Sequence, residues 1–284
     1  MNLINICSCG LSIFFSILVL FSNNLINLWL VLELSILSVV PCFFTVFLFG
    51  NYYSGLLYYL FISGISSGFM FSGFLFTNSG GLLISLVAFF LKFCLFPFGF
   101  WIYIIASNSS WLVIWLITCV GKVSSPILSF LFNETQHGVL IDLLCCLTLF
   151  FCSLYYWFGN SNLSLIWVNM SVASGTVVLY GFLVNCLAVY LLLAYYLFWG
   201  SLCITLFSII SSNNTKNTVN IVLLFFSIPL FLSFFYKILS VFVVLDLNST
   251  LIFIILFFFY GISEQYYMFK YWGYLYSNSI YISI

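Results

Sequence analysis

Long apolar runs with almost no charge are the feature that most restricts how this chain can fold. Charged residues make up 4% of the 284 residues, and hydrophobic residues make up 65%. A water-soluble domain cannot cover its surface with so few charges, so the sequence predicts a protein surrounded by lipid. The runs are continuous and do not alternate with polar residues, which argues against a membrane β-barrel.

The apolar runs predict about ten membrane spans when each crossing is counted as roughly 20 helical residues. Short loops rich in Gly, Asn and Ser separate the runs, and none is large enough for a soluble domain. We therefore predict an all-α fold, a polytopic transmembrane helix bundle forming a single domain over residues 1–284. The predicted spans are 3–21, 24–49, 53–76, 81–105, 109–131, 139–158, 161–182, 184–210, 219–244 and 249–268.

Charge and targeting patterns narrow the class of protein further. The net charge is zero, so the sequence offers no basic surface for nucleic acid. Residues 1–21 have neither a basic leading segment nor a small-residue cleavage site, and we expect them to form a retained membrane helix. Arginine is absent while Phe, Leu, Ile, Tyr and Asn dominate. Such a chain is easiest to explain if it is made inside the organelle that uses it.

The ten cysteines do not predict a metal site or a disulfide framework. Cys7 and Cys9 are too close together to bind one ion alone, and the Cys145–Cys146 pair has no Cys or His partner at ligand spacing. The other cysteines lie singly in apolar runs, where cysteine behaves as a small hydrophobic residue. We therefore predict no bound metal.

Four charged residues lie deep inside predicted spans: Glu33, Lys92, Lys122 and Lys237. A charge at the centre of a membrane helix costs roughly 2.5–3.5 kcal/mol on insertion scales. Residues placed there at such a cost usually serve a function, and we take these four as the candidate functional residues.

These lysines could instead hold neighbouring helices together by forming ion pairs with carboxylates. The number of carboxylates in the spans argues against this explanation. Glu33 is the only carboxylate deep in a predicted span. The other four carboxylates fall near predicted span ends, at Glu134, Asp142, Asp246 and Glu264. One carboxylate cannot pair with three lysines. We therefore expect the lysines to exchange protons.

An ion pair that opens and closes has the energy needed for proton translocation. A carboxylate brought to ~4 Å from an ammonium contributes roughly 4 kcal/mol at an effective dielectric constant of ~20. Moving one proton against ~150 mV costs about 3.5 kcal/mol. The two energies match, so one such switch suffices for one proton.

Two prolines lie close to buried lysines. Pro97 follows Lys92 by five residues, and Pro229 precedes Lys237 by eight. A proline inside a span removes a helical hydrogen bond and kinks or breaks the helix. Broken helices beside membrane-embedded charges recur in ion transporters. We predict helix breaks near Pro97 and Pro229.

Four segments carry a family resemblance. In chain order, and spanning most of the sequence, they are "WLVLELSILSVVP" (29–41), "LKFCLFPFGFW" (91–101), "TCVGKVSSP" (118–126) and "FFSIPLFLSFFYKILSV" (225–241). Together they resemble mitochondrial NADH dehydrogenase subunit two, an antiporter-like subunit in the membrane arm of respiratory complex I. The sequence departs from that pattern at Gly99, where the family has histidine, and at Gly121, where it has glutamine.

The resemblance implies roles for the four charged residues. Glu33 and Lys92 would form an ion pair, Lys122 would relay protons through the middle, and Lys237 would lie in the outlet half in a broken helix. The chain would be a core proton-translocating subunit of NADH:ubiquinone oxidoreductase in the mitochondrial inner membrane. It would thus count as part of an enzyme, although it carries no redox centre of its own.

The resemblance also implies cofactors and partners. This chain would bind no cofactor, since NAD, FMN, iron–sulfur clusters and ubiquinone would belong to other subunits. Its partners would be other membrane-arm subunits, including neighbouring antiporter-like subunits, and membrane lipids, with no nucleic acid. Two alternatives stay open at this point. One is a free-standing secondary transporter for a small cation or solute, and the other is a purely structural membrane-arm subunit.

Overall fold

The computed structural model describes residues 3–22, 24–44, 52–76, 79–127, 138–159, 162–184, 186–212, 232–246 and 251–282. These residues form eleven α-helices and one 3₁₀ helix, with no strand among them. The α-helices are α1 (Leu3–Leu20), α2 (Leu25–Phe43), α3 (Tyr52–Leu75), α4 (Ser79–Lys92), α5 (Phe100–Asn108), α6 (Trp111–Thr118), α7 (Gly138–Phe158), α8 (Leu163–Leu183), α9 (Ala188–Ser212), α10 (Leu232–Asp246) and α11 (Leu251–Ile282). The 3₁₀ helix, Val120–Ser124, follows α6.

The predicted all-α membrane bundle is confirmed. Six helices in the described part are long and apolar enough to cross a membrane. Many large apolar side chains face outward, among them Phe158 at 84% exposure and Leu187 at 83%. Such an apolar exterior suits lipid, because lipid imposes no penalty on exposed hydrocarbon.

Helix α8 is the centre of the bundle. Every residue from Ile166 to Phe182 is buried. A helix that is apolar on all sides is expected in the interior of a protein, and α8 packs against α5, α6, α7, α9 and α10. The few polar residues of α8 therefore lie where they can meet side chains from several helices.

Paired helices surround this centre. Helix α1 packs along α2, α3 along α4, α7 along α11, and α9 along α10. The 3₁₀ helix contacts α1, α6 and α9. The 3₁₀ helix, which carries Lys122, is thus held by neighbours on several sides, whereas α4, which ends at Lys92, packs mainly along α3.

Two of the predicted spans are interrupted in the structure. Span 81–105 breaks between Lys92 and Phe100, with Pro97 inside the gap, so the predicted break there is confirmed. Span 109–131 was predicted as continuous, which is wrong: α6 ends at Thr118 and gives way to the 3₁₀ helix. Gly121 and the serines before Pro126 explain this second break, since they disfavour regular helix.

The last helix is longer than the sequence predicts. Helix α11 runs to Ile282, well beyond the predicted end at 268. Residue 264 therefore lies near the middle of a long helix and not near a span end. Pro229 and the break predicted there lie outside the described residues.

Candidate functional site

Lys92 is the last residue of α4, where the helix breaks. A cation at this end is favourable, because the helix dipole places partial negative charge at the C-terminus. The Nζ atom of Lys92 is inaccessible to solvent and donates no hydrogen bond to a described residue. The break thus holds a buried ammonium group that lacks a direct partner in the described part.

Hydrogen bonds around the break satisfy backbone groups that α4 leaves unpaired at its end. The Leu95 N–H donates to the Phe90 carbonyl at 3.0 Å. The indole Nε1 of Trp101, from α5, donates to the Leu91 carbonyl at 3.2 Å. Buried carbonyl groups without partners are costly, so these bonds stabilise the broken geometry.

Backbone conformation at the break explains why residue 99 is glycine. Cys94 has a φ of 62°, in the left-handed region that commonly ends a helix. A Cβ atom added at Gly99 would lie 2.6 Å from the Cys94 carbonyl oxygen, closer than such contacts allow. This position, where the sequence departs from the family pattern, therefore has a local structural reason for glycine.

Glu33 lies on α2 and is near enough to act electrostatically on both Lys92 and Tyr59. Within the described residues, however, no oxygen of Glu33 lies within 4.0 Å of the Lys92 Nζ. The ion pair implied for these two residues is not formed in this structure. We call Glu33 and Lys92 the open pair.

Lys122 is buried in the 3₁₀ helix, with 7% of its surface exposed. Its Nζ donates hydrogen bonds to the Ser171 carbonyl and, at 2.7 Å, to the Ser174 Oγ, both on α8. It also lies 4.0 Å from the centre of the Tyr196 ring. Neutral oxygens and an aromatic face stabilise an ammonium without fixing it as an ion pair.

A first cavity of about 80 Å³, measured as space open to water centres, connects Lys92 with Lys122. A water needs roughly 10–15 Å³ of such space, so this cavity can hold several waters. Nine hydroxyl-bearing side chains line it, namely Ser12, Ser16, Ser35, Tyr59, Ser63, Ser66, Thr118, Ser124 and Ser171. Its seven serine hydroxyls each donate to a carbonyl three residues back, which leaves their lone pairs as acceptors.

A second cavity of about 120 Å³ lies on the far side of α8 and is lined by Ser174, Lys237 and Glu264, among others. Lys122 joins the two cavities, because it lines the first and donates a hydrogen bond to Ser174, which lines the second. The buried charges and the hydroxyls near them therefore form one interrupted polar axis through an otherwise apolar bundle.

Lys237, on α10, meets Glu264, on α11, with Nζ and Oε1 2.8 Å apart. The distance is that of an ion pair, although the angles are not those of a hydrogen bond. Glu264 is 4% exposed. The prediction that Glu33 is the only deeply placed carboxylate is therefore wrong, since Glu264 is another.

Sequence reasoning found the lysines of the axis and missed several of their neighbours. It missed Glu264 because the predicted last span ended four residues later, which placed this carboxylate at a margin. It missed Ser171 and Ser174 because serine is common in these helices and carries no charge. These two serines differ from the others in lying close to a lysine on another helix, and that distance cannot be read from a sequence.

The described residues contain no group of three His, Cys, Asp or Glu side chains arranged to bind a metal. The ten cysteines all lie in the described part of the chain and form no disulfide there. The polar groups that line the two cavities are lysine ammonium groups, the Glu264 carboxylate and hydroxyls.

Comparison with known proteins gives matches among solved structures. No protein-family model and no curated protein sequence matches the chain. A chain of respiratory complex I from Thermus thermophilus with bound aureothin matches with a TM-score of 0.70 and 15% identity, covering 87% of this chain and 65% of that one. A chain of the membrane-bound sulfane sulfur reductase, an archaeal respiratory membrane complex, matches with a TM-score of 0.64 and 15% identity, covering 87% and 61%.

The present chain thus spans less than two thirds of the length of either matched chain. At 15% identity the likeness concerns the path of the backbone and not the chemistry of individual side chains. The chain has the fold of a chain found in respiratory complex I and in an archaeal respiratory membrane complex.

Proposed function

We propose that this chain is a proton-translocating membrane subunit of a mitochondrial NADH:ubiquinone oxidoreductase. The observation that carries the proposal is the position of Lys122, whose ammonium group lines the cavity of Lys92 and donates to a serine of the cavity of Lys237. The shared fold with a chain of respiratory complex I and the four sequence segments support it.

Protons would move along the axis in steps between neighbouring groups. Closing the Glu33–Lys92 pair favours the ammonium form of Lys92, and opening it allows a proton to leave through the first cavity toward Lys122. From Lys122 a proton reaches the second cavity past Ser174. Each step needs only a change in the distance of a nearby charge, worth roughly 4 kcal/mol at ~4 Å.

Redox chemistry would take place in other subunits of the complex. NAD, FMN, iron–sulfur clusters and ubiquinone would be bound there, and the released energy would reach this chain as a change in its charge pairs. Neighbouring antiporter-like subunits and lipids of the inner membrane would be its contacts.

Isolation of the native assembly tests this function. An antibody against an exposed segment of the chain should capture a large complex that oxidises NADH with ubiquinone and, in vesicles, takes up protons. A Lys92→Met complex should oxidise NADH while transporting fewer protons per electron. An Asp142→Asn complex, altered at a carboxylate away from both cavities, serves as the matched control.

Three results would contradict the proposal. Capture of the chain alone, active in cation transport, would favour a free-standing transporter. Normal proton transport by Lys92→Met together with poor assembly would favour a structural subunit. Capture of a complex without NADH oxidation would assign the chain to a different respiratory assembly.

A further inference from the structure

Glu264 is a buried carboxylate to which the proposed function gives no role. It lies in the middle of α11, lines the second cavity and contacts Lys237 at 2.8 Å. Its partner is only partly enclosed, with a quarter of the Lys237 side chain exposed, whereas Glu264 itself is almost fully buried. The carboxylate is thus the more deeply placed half of the pair.

Stability alone does not explain this carboxylate. Burying two charges costs about as much as their attraction returns, and apolar replacements of buried ion pairs are often neutral or stabilising. Helix α11 also has other contacts to α7: the Trp157 and Tyr266 rings stack at 4.6 Å, and the Tyr156 and Tyr267 rings lie 5.4 Å apart. The helix is therefore held in place without the charge of Glu264.

The surroundings of Glu264 suit both of its protonation states. Tyr260, one helical turn earlier on α11, lines the same cavity as Glu264, and its hydroxyl lies 3.4 Å from that of Tyr156. A tyrosine hydroxyl can donate to a carboxylate and accept from a carboxylic acid. The cavity beside the pair also has room for water. Hydroxyls and water can therefore stabilise Glu264 after the ion pair is neutralised.

The geometry points to Glu264 as a proton-carrying residue that exchanges a proton directly with Lys237. In this step an N–H bond of the Lys237 ammonium breaks, an O–H bond forms on the Glu264 carboxylate, and the ion pair becomes a neutral amine and a carboxylic acid. The net charge of the pair stays zero. Glu264 would thereby form a second lysine–carboxylate switch, at the opposite end of the axis from Glu33 and Lys92.

This inference rests on the proposed function, and its test uses the intact complex reconstituted in vesicles. In Glu264→Gln, proton transport per NADH should fall at least about tenfold, which corresponds to roughly 1.4 kcal/mol of barrier. Asp142→Asn is the matched control and should transport protons at the wild-type rate. The double variant Lys237→Gln with Glu264→Gln keeps polar side chains of similar size without charge. It should transport no better than Glu264→Gln alone.

Infrared spectroscopy distinguishes proton transfer from a purely structural role of Glu264, because only a change in protonation alters the carboxyl signal. On NADH addition, the wild-type complex should show a carbonyl band of a protonated carboxylic acid. That band should disappear in Glu264→Gln and shift in Glu264→Asp, which keeps a carboxylate one methylene shorter. If Glu264→Gln fails to assemble, the Glu264→Asp spectrum decides, and an unshifted band overturns the inference.

Two outcomes separate the inference from the function on which it rests. Normal proton transport by Glu264→Gln, or by the double variant, combined with loss of transport in Lys122→Met would overturn the role of Glu264 and leave the proposed function standing. Normal transport in both Glu264→Gln and Lys122→Met would overturn both. Loss of proton transport in Glu264→Gln, together with disappearance of the carbonyl band, would support both the role of Glu264 and the proposed function.

Discussion

The two ends of the polar axis contain the same pair of residue types in different states. At one end, Glu33 and Lys92 lie near each other without an ion pair, and the Lys92 ammonium donates no hydrogen bond to a described residue. At the other end, Lys237 and Glu264 are in contact at 2.8 Å. One pair is open and the other is closed.

The difference follows from where each lysine lies in its helix. Lys92 is at the C-terminus of a broken helix, where the helix dipole stabilises its charge without a carboxylate. Lys237 lies within α10, away from either helix end, so no such stabilisation is present and a carboxylate supplies it. Lys122 lies between the two, and its partners among the described residues are neutral oxygens and an aromatic ring.

Lys122→Met should give the largest effect, because it removes the charge that joins the two ends. Methionine is close in size to lysine, so the core should stay packed. Removal of a proton-transferring group typically costs 10²–10⁴-fold, and we expect proton transport per NADH to fall by about 100-fold or more. The measurement is the quenching of a pH-sensitive dye in vesicles. Lys270→Met, at an exposed lysine of α11, is the control and should keep full transport.

Glu33→Gln should give the next largest effect, because it leaves the open end unable to close. The switch energy of roughly 4 kcal/mol applies only while the pair is closed, so part of it is lost, and we expect transport to fall by about tenfold. The free energy of unfolding should hardly change, since Glu33 makes no ion pair within 4.0 Å among the described residues. Transport as in wild type would show that the open end is not a switch.

Gly200→Ala should disturb the middle of the axis through packing. A Cβ atom at this position of α9 would lie 2.9 Å from the Cys119 Sγ, just before the 3₁₀ helix that carries Lys122. Overpacking of this kind costs about 1–3 kcal/mol, so the thermal midpoint of the complex should fall. Gly175→Ala is the matched control: its Cβ would meet the Lys122 Cε at 3.5 Å, an ordinary contact. Equal melting of both variants would contradict the packing argument.

Ser174→Ala should give the smallest effect, because Lys122 keeps its bond to the Ser171 carbonyl. A hydrogen bond of a charged group contributes about 1.5–3 kcal/mol, and the remaining bond limits the loss, so we expect transport to fall by about threefold. The rate of proton uptake at fixed NADH oxidation measures it. Ser124→Ala is the control, since Ser124 lines the first cavity without bonding Lys122. A larger loss in Ser124→Ala than in Ser174→Ala would place the connection between the cavities elsewhere.

Local sequence signals predicted much of this molecule correctly. Apolar runs of span length predicted the helix bundle, since the hydrophobic effect and the thickness of a membrane act on contiguous residues. The break after Lys92 was predictable because proline removes a backbone donor within its own helix. Gly121 and Pro126 also signal the break before Lys122, although the apolar residues on either side make that segment long enough to span a membrane as one helix.

By itself the sequence determined the all-α membrane fold and the presence of buried lysines, because both depend on hydrophobicity along the chain. Tertiary structure alone decided which groups those lysines meet. Lys122 and Ser174 are 52 residues apart, and Lys237 meets a carboxylate from another helix. Hydrogen bonds and ion pairs depend on distances of a few ångströms between helices. Those distances are set by the packing of side chains around α8, which hydrophobicity along one helix does not specify.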